Sequence, residues 1–241
     1  MGIVVQKFGG SSVSNTENLY KVCKHITEEY DKGNNVVVVV SAQGKTTDRL
    51  INEESEITNE PSLREHDVLV SVGEQISAAK LVMCLNKLNY KAISFMGWQL
   101  PIYTNQNYGD AKIVTINTRK IREAFEEKKI VVVAGFQGIT ENGDITTLGR
   151  GGSDTSAVAL AAFLKAEKAY IFTDVDGVYS DDPNKNKNAI KYEQLSYNEM
   201  LDMANNGAKV LHNKSVEFAK HYQVPIVVKS TFKNGEGTII K

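Results

Sequence analysis

Three short runs of β-branched residues stand out along the chain, at 3–5, 36–40 and 130–133. Each is apolar at successive positions, so both faces need cover, as in a central strand of a parallel or mixed sheet. Residues 169–172, ahead of the polar turn Thr173-Asp174, and 226–228, after Pro225, predict two more strands. Between the strands the period changes. Val68, Val72, Ile76, Ala79 and Met83 recur at three- and four-residue spacing, which predicts a helix that buries this face. Residues 153–165 predict another, with Ser153 as its N-cap and Asp154 in its first turn. Alternating strands and helices define an α/β sandwich. No repeat, low-complexity tract or Pro/Gly linker divides the chain, so it reads as one domain over 1–241.

Composition narrows the function. Lys plus Arg is 28 against 29 for Asp plus Glu, a formal net charge of −1. Polyanion binders carry a basic excess, so nucleic acid is a poor candidate partner. Cys23 and Cys84 lack metal-type spacing and read as buried, reduced thiols. The longest apolar run, 157–164, falls well short of the roughly 20 residues a membrane span needs. The N-terminus has no charged region leading into an apolar one, so no signal peptide and a cytoplasmic location are expected.

The glycines cluster at the carboxyl ends of the predicted strands, where open α/β sheets bind ligands. Lys7-Phe8-Gly9-Gly10-Ser11-Ser12 joins a lysine to glycines and hydroxyls, a compact cradle for an anion; the plainer alternative is a surface lysine before a turn. The loop 41–47, Ser-Ala-Gln-Gly-Lys-Thr-Thr, ends like a P-loop but has Val39 where that motif needs glycine. Glu74, beside Gly73, has the charge to bind a substrate ammonium, although taken alone it reads as a solvated helix residue.

The strongest segment is 146–155. Its Gly149-Arg150-Gly151-Gly152-Ser153-Asp154 resembles a dinucleotide fingerprint, but Asp154 holds the third glycine position, which disfavours NAD. An arginine between glycines, just ahead of a helix N-terminus, instead offers a clamp for a carboxylate. Residues 172–183 lack EF-hand spacing, and their aromatic, hydroxyl and carboxylate groups suit a base and ribose. His212 has no acidic or cysteine partner at catalytic spacing and reads as structural, while His25, His66 and His221 read as solvated or core residues.

Together these segments resemble the amino-acid kinase family and, within it, the aspartate kinases. The resemblance rests on 7–13, 41–47, 72–74, 148–154, Thr173-Asp174-Val175-Asp176-Gly177 with Tyr179, and Gly207-Ala208-Lys209-Val210, in the family's order. It implies a three-layer αβα sandwich around an eight-stranded, mainly parallel sheet, with the aspartate side in the N-terminal part and the nucleotide side from about residue 150. It implies transfer of a phosphoryl group from ATP, with Mg²⁺, to the side chain of L-aspartate, in a homodimer.

By the same resemblance Lys7 stabilises the transferring group and Asp154 orients Lys7. Gly9, Gly10 and Ser11 cradle phosphate. Arg150 holds a substrate carboxylate, Glu74 the ammonium, and Ser41, Thr47 and Ser153 further polar edges. Thr173, Asp174, Tyr179 and Lys209 belong to the nucleotide. Two departures are Asn184, where the family carries arginine, and Asn213, where proline is common. The family's C-terminal ACT modules are also missing from these residues, so regulation is expected only through a separate ACT-bearing partner. The competing readings are another amino-acid kinase, and a non-catalytic subunit that binds nucleotide or aspartate.

Overall fold

The computed structural model describes residues 2–181, 183, 185–207 and 210–241. β1 (Ile3–Phe8) runs into α1 (Thr16–Asp31), β2 (Asn35–Val40) and three successive helices, α2 (Thr46–Ile57), α3 (Leu63–Val70) and α4 (Val72–Lys87). Then come β3 (Ala92–Phe95), β4 (Ile102–Thr104), β5 (Ile113–Ile116), α5 (Arg119–Glu126), β6 (Ile130–Ala134), β7 (Gln137–Ile139), β8 (Ile145–Thr147) and α6 (Gly152–Leu164). The last part holds β9 (Lys168–Thr173), β10 (Gln194–Leu195), α7 (Tyr197–Asn205), α8 (Asn213–Tyr222), β11 (Ile226–Ser230) and β12 (Thr238–Ile240).

Eight strands form the central sheet in the order β10-β12-β11-β9-β1-β2-β6-β3, and only the β11–β12 pairing is antiparallel. Strand periodicity divides the apolar runs between two layers of helices. Val37 and Val39 of β2 and Val131 and Val133 of β6 join the core built on α5, α6, α7 and α8. Val36, Val38, Val40, Ile130 and Val132 face the other core, with Leu19, Val22 and Ile26 of α1 and Leu81 and Leu85 of α4. This is the expected αβα sandwich, and all five strands predicted from the sequence lie in it. Cys23 and Cys84 are free thiols in the second core.

From β1 the chain builds outward through β2, β6 and β3 on one side, then returns to place β9 and β11 on the other. The strand order therefore reverses at β1, and a crevice opens there beyond the carboxyl ends of the strands. A second sheet, β5-β4-β7-β8, flanks this edge. It was not expected from the sequence, because its strands are only three or four residues long.

Two local expectations are corrected. The buried face of α4 is Gly73, Glu74, Ser77, Ala78, Leu81, Cys84 and Leu85, whereas Val72, Ile76 and Met83 are exposed. Small residues in the first half of this helix and Leu81 and Leu85 in the second pack it against the sheet, while Val72, Ile76 and Met83 lie outside. At α6 the N-cap is Gly151 with φ +70°, and Ser153 already lies inside the helix. The helical run Leu63–Lys87 is long and apolar enough to cross a membrane by length and composition alone, although nearly half of its most apolar stretch is buried in the protein.

Candidate active site

Lys7 shares a face of β1 with Val5, whose core is the one occupied by α6. Its ammonium therefore points towards the start of α6, where Asp154 sits in the first turn. Lys7 Nζ and Asp154 Oδ1 are 2.6 Å apart, with both side chains almost buried. Breaking such a buried pair by removing one partner leaves an uncompensated charge. A Cβ on Gly9 would make only ordinary contact with Lys7 Nζ, at 3.6 Å.

The loop after β1 is joined to the loop after β2. Ser41 N donates to Phe8 O at 3.1 Å, and Gly44 N donates to Gly10 O at 3.0 Å. α4 then packs directly on the second loop, because Gly73 has no side chain; a Cβ there would meet Ala42 Cβ at 2.7 Å. This close approach brings Glu74 to the loop, where its Oε1 accepts from Ala42 N at 2.9 Å. Glu74 is only 3% exposed, and its Oε2 is buried with no hydrogen-bond partner. Burial raises its pKa from 4.5 to about 7, against the lowering effect of the backbone N–H donors. The solvated helix residue suggested by the local sequence is thus corrected to a buried carboxyl with a vacant acceptor.

These groups surround a cavity of about 340 Å³ lined by Lys7, Gly10, Ser41, Thr47, Glu74, Ser153 and Asp154 together with Phe136, Gly44 and the glycines at 149, 151 and 152. The N-terminus of α6, with its outward N–H groups and positive dipole end, opens on the same space. Arg150 does not line the cavity. It is exposed between Gly149 and Gly151, and it has no ion-pair partner among the described residues. Ser11 is exposed and Gly9 half-buried, both outside the cavity lining. Phe136 was not foreseen: it lies outside the glycine and charge motifs and adopts φ +69°, a strained conformation for a bulky residue at a cavity wall.

A larger cavity, of about 700 Å³, lies past the ends of β9 and α7. Thr173, Asp174 and Tyr179 line it, with Val175, Gly177, Ser180 and Asn206. Thr173 donates to Asp174 Oδ1 at 2.8 Å, and Tyr179 to Asp176 Oδ1 at 2.8 Å. Lys209 and Asn184 lie outside the described residues. His212 caps α8, accepting from Lys214 N, and packs against Gly151, where any Cβ would collide with it.

A chain with these two neighbouring cavities on a strand-order reversal, one with a buried Lys–Asp pair, falls in a recognisable class. The amino acid kinase family matches residues 2–230, and the chain belongs to that family. Among individual proteins, it is 56% identical to the aspartokinase of Geobacillus stearothermophilus over 241 residues, all of this chain and 59% of that protein. Aspartate kinase from Synechocystis superposes with a TM-score of 0.88 at 42% identity, over 99% of this chain and 39% of that one. E. coli aspartokinase III, solved in complex with aspartate and ADP, gives 0.83 at 28% identity, over 99% of this chain and 64% of that one. The chain thus spans a little under three-fifths of the curated relative's length.

Proposed function

We propose that this chain transfers the γ-phosphoryl group of ATP to the side-chain carboxylate of L-aspartate, giving 4-phospho-L-aspartate and ADP. The observation that carries this reading is Glu74: a buried carboxyl with a free oxygen in the cavity that contains the Lys7–Asp154 pair. An ammonium supplies the charge and donors that oxygen lacks. An N-acylated amino acid does not, which favours a free amino acid over N-acetylglutamate. Likeness to a relative solved with aspartate and ADP supports the same choice.

The chemistry suits the residues. A carboxylate with a pKa near 3.9 is an ionised nucleophile at neutral pH and needs no general base. The barrier is electrostatic, since a carboxylate must approach a polyphosphate, and positioning with charge neutralisation does most of the catalysis. In this proposal Lys7 neutralises the transferring group and Asp154 holds Lys7 in place. Gly9, Gly10 and Ser11 present the loop that cradles phosphate. Ser41, Thr47 and Ser153 hold the polar edges of aspartate. Arg150 folds inward onto a substrate carboxylate from the rim.

The larger cavity is within the size range of small-molecule sites, and its hydroxyls and carboxylates suit a ribose and base, so Thr173, Asp174, Tyr179 and Lys209 are assigned to the nucleotide. Mg²⁺ would enter with ATP, held mainly by phosphate oxygens with Asp174 of the larger cavity at hand, and would supply neutralising charge there, while Asp154 is committed to Lys7. The proposal includes a cytoplasmic homodimer serving the first step of aspartate-family amino-acid biosynthesis. Its test is coupled ADP release with aspartate, glutamate and N-acetylglutamate compared. Turnover with aspartate alone is expected; nucleotide binding without turnover, or a preference for either other acid, overturns it.

A further inference from the structure

Asp67 is fully buried on α3, yet it lines neither cavity. Its carboxylate is filled by protein donors. Oδ1 accepts from the Thr147 hydroxyl at 2.6 Å, Oδ2 from Thr147 N at 2.9 Å, and both oxygens from Gly109 N at 3.0–3.1 Å. A buried carboxylate satisfied this way, from a loop and a strand end both distant in sequence, costs desolvation that its own helix does not require.

What it holds is informative. Thr147 is the last residue of β8, three positions before Arg150 and five before the start of α6. Neighbouring contacts finish the clamp. Thr147 O accepts from Ala111 N at 2.8 Å, and Leu148 O accepts from Lys214 Nζ at 3.1 Å. Lys214 also pairs with Asp110. The backbone is therefore fixed up to Leu148, and the segment Gly149-Arg150-Gly151 springs from that point.

The same helical run carries Glu74 seven residues after Asp67, about two turns and roughly 10 Å along the axis. Ser71 between them keeps a right-handed helical backbone, and its carbonyl is held by the Gln137 side chain at 2.8 Å. One end of the run thus grips the loop that bears Arg150, and the other presents Glu74. We propose that Asp67 is a positioning residue, acting through Thr147, that sets the separation between Glu74 and the Arg150–Ser153 loop. Resting on the proposed aspartate kinase reading, it predicts that loosening the grip weakens aspartate and spares ATP.

Three variants test it in the whole chain. Asp67→Asn puts an amide NH₂ against N–H donors, Thr147→Val removes only the hydroxyl, and Thr147→Ser keeps it. Wild-type turnover with aspartate is measured first and decides the kinase reading by itself. Amide exchange over 145–153 then decides the grip without needing turnover. In Asp67→Asn and Thr147→Val, exchange there is expected to quicken at least tenfold while β9 is unchanged. Aspartate KM should rise at least tenfold with ATP KM within twofold, and Thr147→Ser should match the wild type on both. If Asp67→Asn does not fold, the Val and Ser pair gives the same answer. Unchanged exchange in Thr147→Val, an ATP KM that rises as much as the aspartate KM, or a Thr147→Ser variant as impaired as Thr147→Val overturns the proposal.

Discussion

Replacing Glu74 by Gln keeps shape and the acceptor for Ala42 N but removes a titrating group whose pKa burial has raised from 4.5 to about 7. That rise to about 7 corresponds to roughly 3 kcal/mol against the ionised form in the ligand-free protein. Since the folded pKa lies above the unfolded one, the folded state holds the proton more tightly. The associated stability is complete below pH 4.5 and is lost as the pH rises towards about 7. Ligand-free Glu74→Gln should therefore be more stable than the wild type at pH 8, by up to about 3 kcal/mol, and the difference should vanish towards pH 4.5. For a chain of this size that is a Tm increase of at most about 6–12 °C.

Aspartate reverses the order. Its ammonium would favour the charged carboxylate, so the wild type gains Tm with saturating aspartate and the Gln variant gains little. In kinetics, kcat/KM for aspartate reports ionisations of the free enzyme. The wild-type value should fall about tenfold per pH unit below about 7, as Glu74 takes up its proton. The Gln profile should lack that limb and lie on the order of 100-fold lower at pH 8, the scale of a lost buried charge partner. Differential scanning fluorimetry from pH 5 to 8, with and without aspartate, and coupled ADP assays over the same range supply both readouts. A wild type at least as stable as Glu74→Gln at pH 8 without ligand, or two kcat/KM profiles of the same shape, refutes the assignment.

Lys7→Ala should lower kcat at least 100-fold, about 3 kcal/mol, with aspartate binding by calorimetry largely intact; near wild-type kcat removes Lys7 from its role. Gly73→Val should raise aspartate KM sharply and leave ATP KM alone, because its side chain enters space held by Ala42 and pushes Glu74 off the loop. Leu81→Ala, in the core beneath α4, should cost about 2–5 kcal/mol by urea unfolding and leave both KM values within twofold under native conditions.

The parts of the fold that sequence made legible are those in which one residue's environment follows from its neighbours. Five successive valines at 36–40 demand cover on both faces, and β2 is the strand between β1 and β6 that receives it. α4 was placed correctly but turned the wrong way. Hydrophobic periodicity at 68–83 picks out one apolar side, while close packing on the 42–46 loop selects Gly73 and brings the side with Ser77, Ala78 and Leu81 inward. The four-stranded flanking sheet has strands too short to carry a period. In the site, Lys7, Gly10 and the glycines at 149, 151 and 152 were legible as a lysine and glycines at strand ends, and they line the cavity; Gly9 and Ser11 of the same motif do not. Asp67 left no signal, since among Arg64, Glu65 and His66 it looks like one more solvated helix charge. Its partners at 109 and 147 become neighbours only through the tertiary fold.

Gly151 connects these levels. Its φ of +70° turns the chain from the pinned segment at 147–148 into α6, and any side chain there would run into His212. The turn delivers Ser153 and Asp154 to the cavity at the positive end of a helix whose flanks are apolar and almost entirely buried. A helix buried on all sides cannot tilt to accommodate a misplaced Asp154, so the Lys7–Asp154 distance is set by how α6 packs on β1. The charged groups of the cavity, Lys7, Asp154 and Glu74, are thus buried. Arg150, outside the lining, stands exposed. That division fits the proposed reaction, in which the buried charges would receive the two anions and the exposed Arg150 would reach the substrate carboxylate.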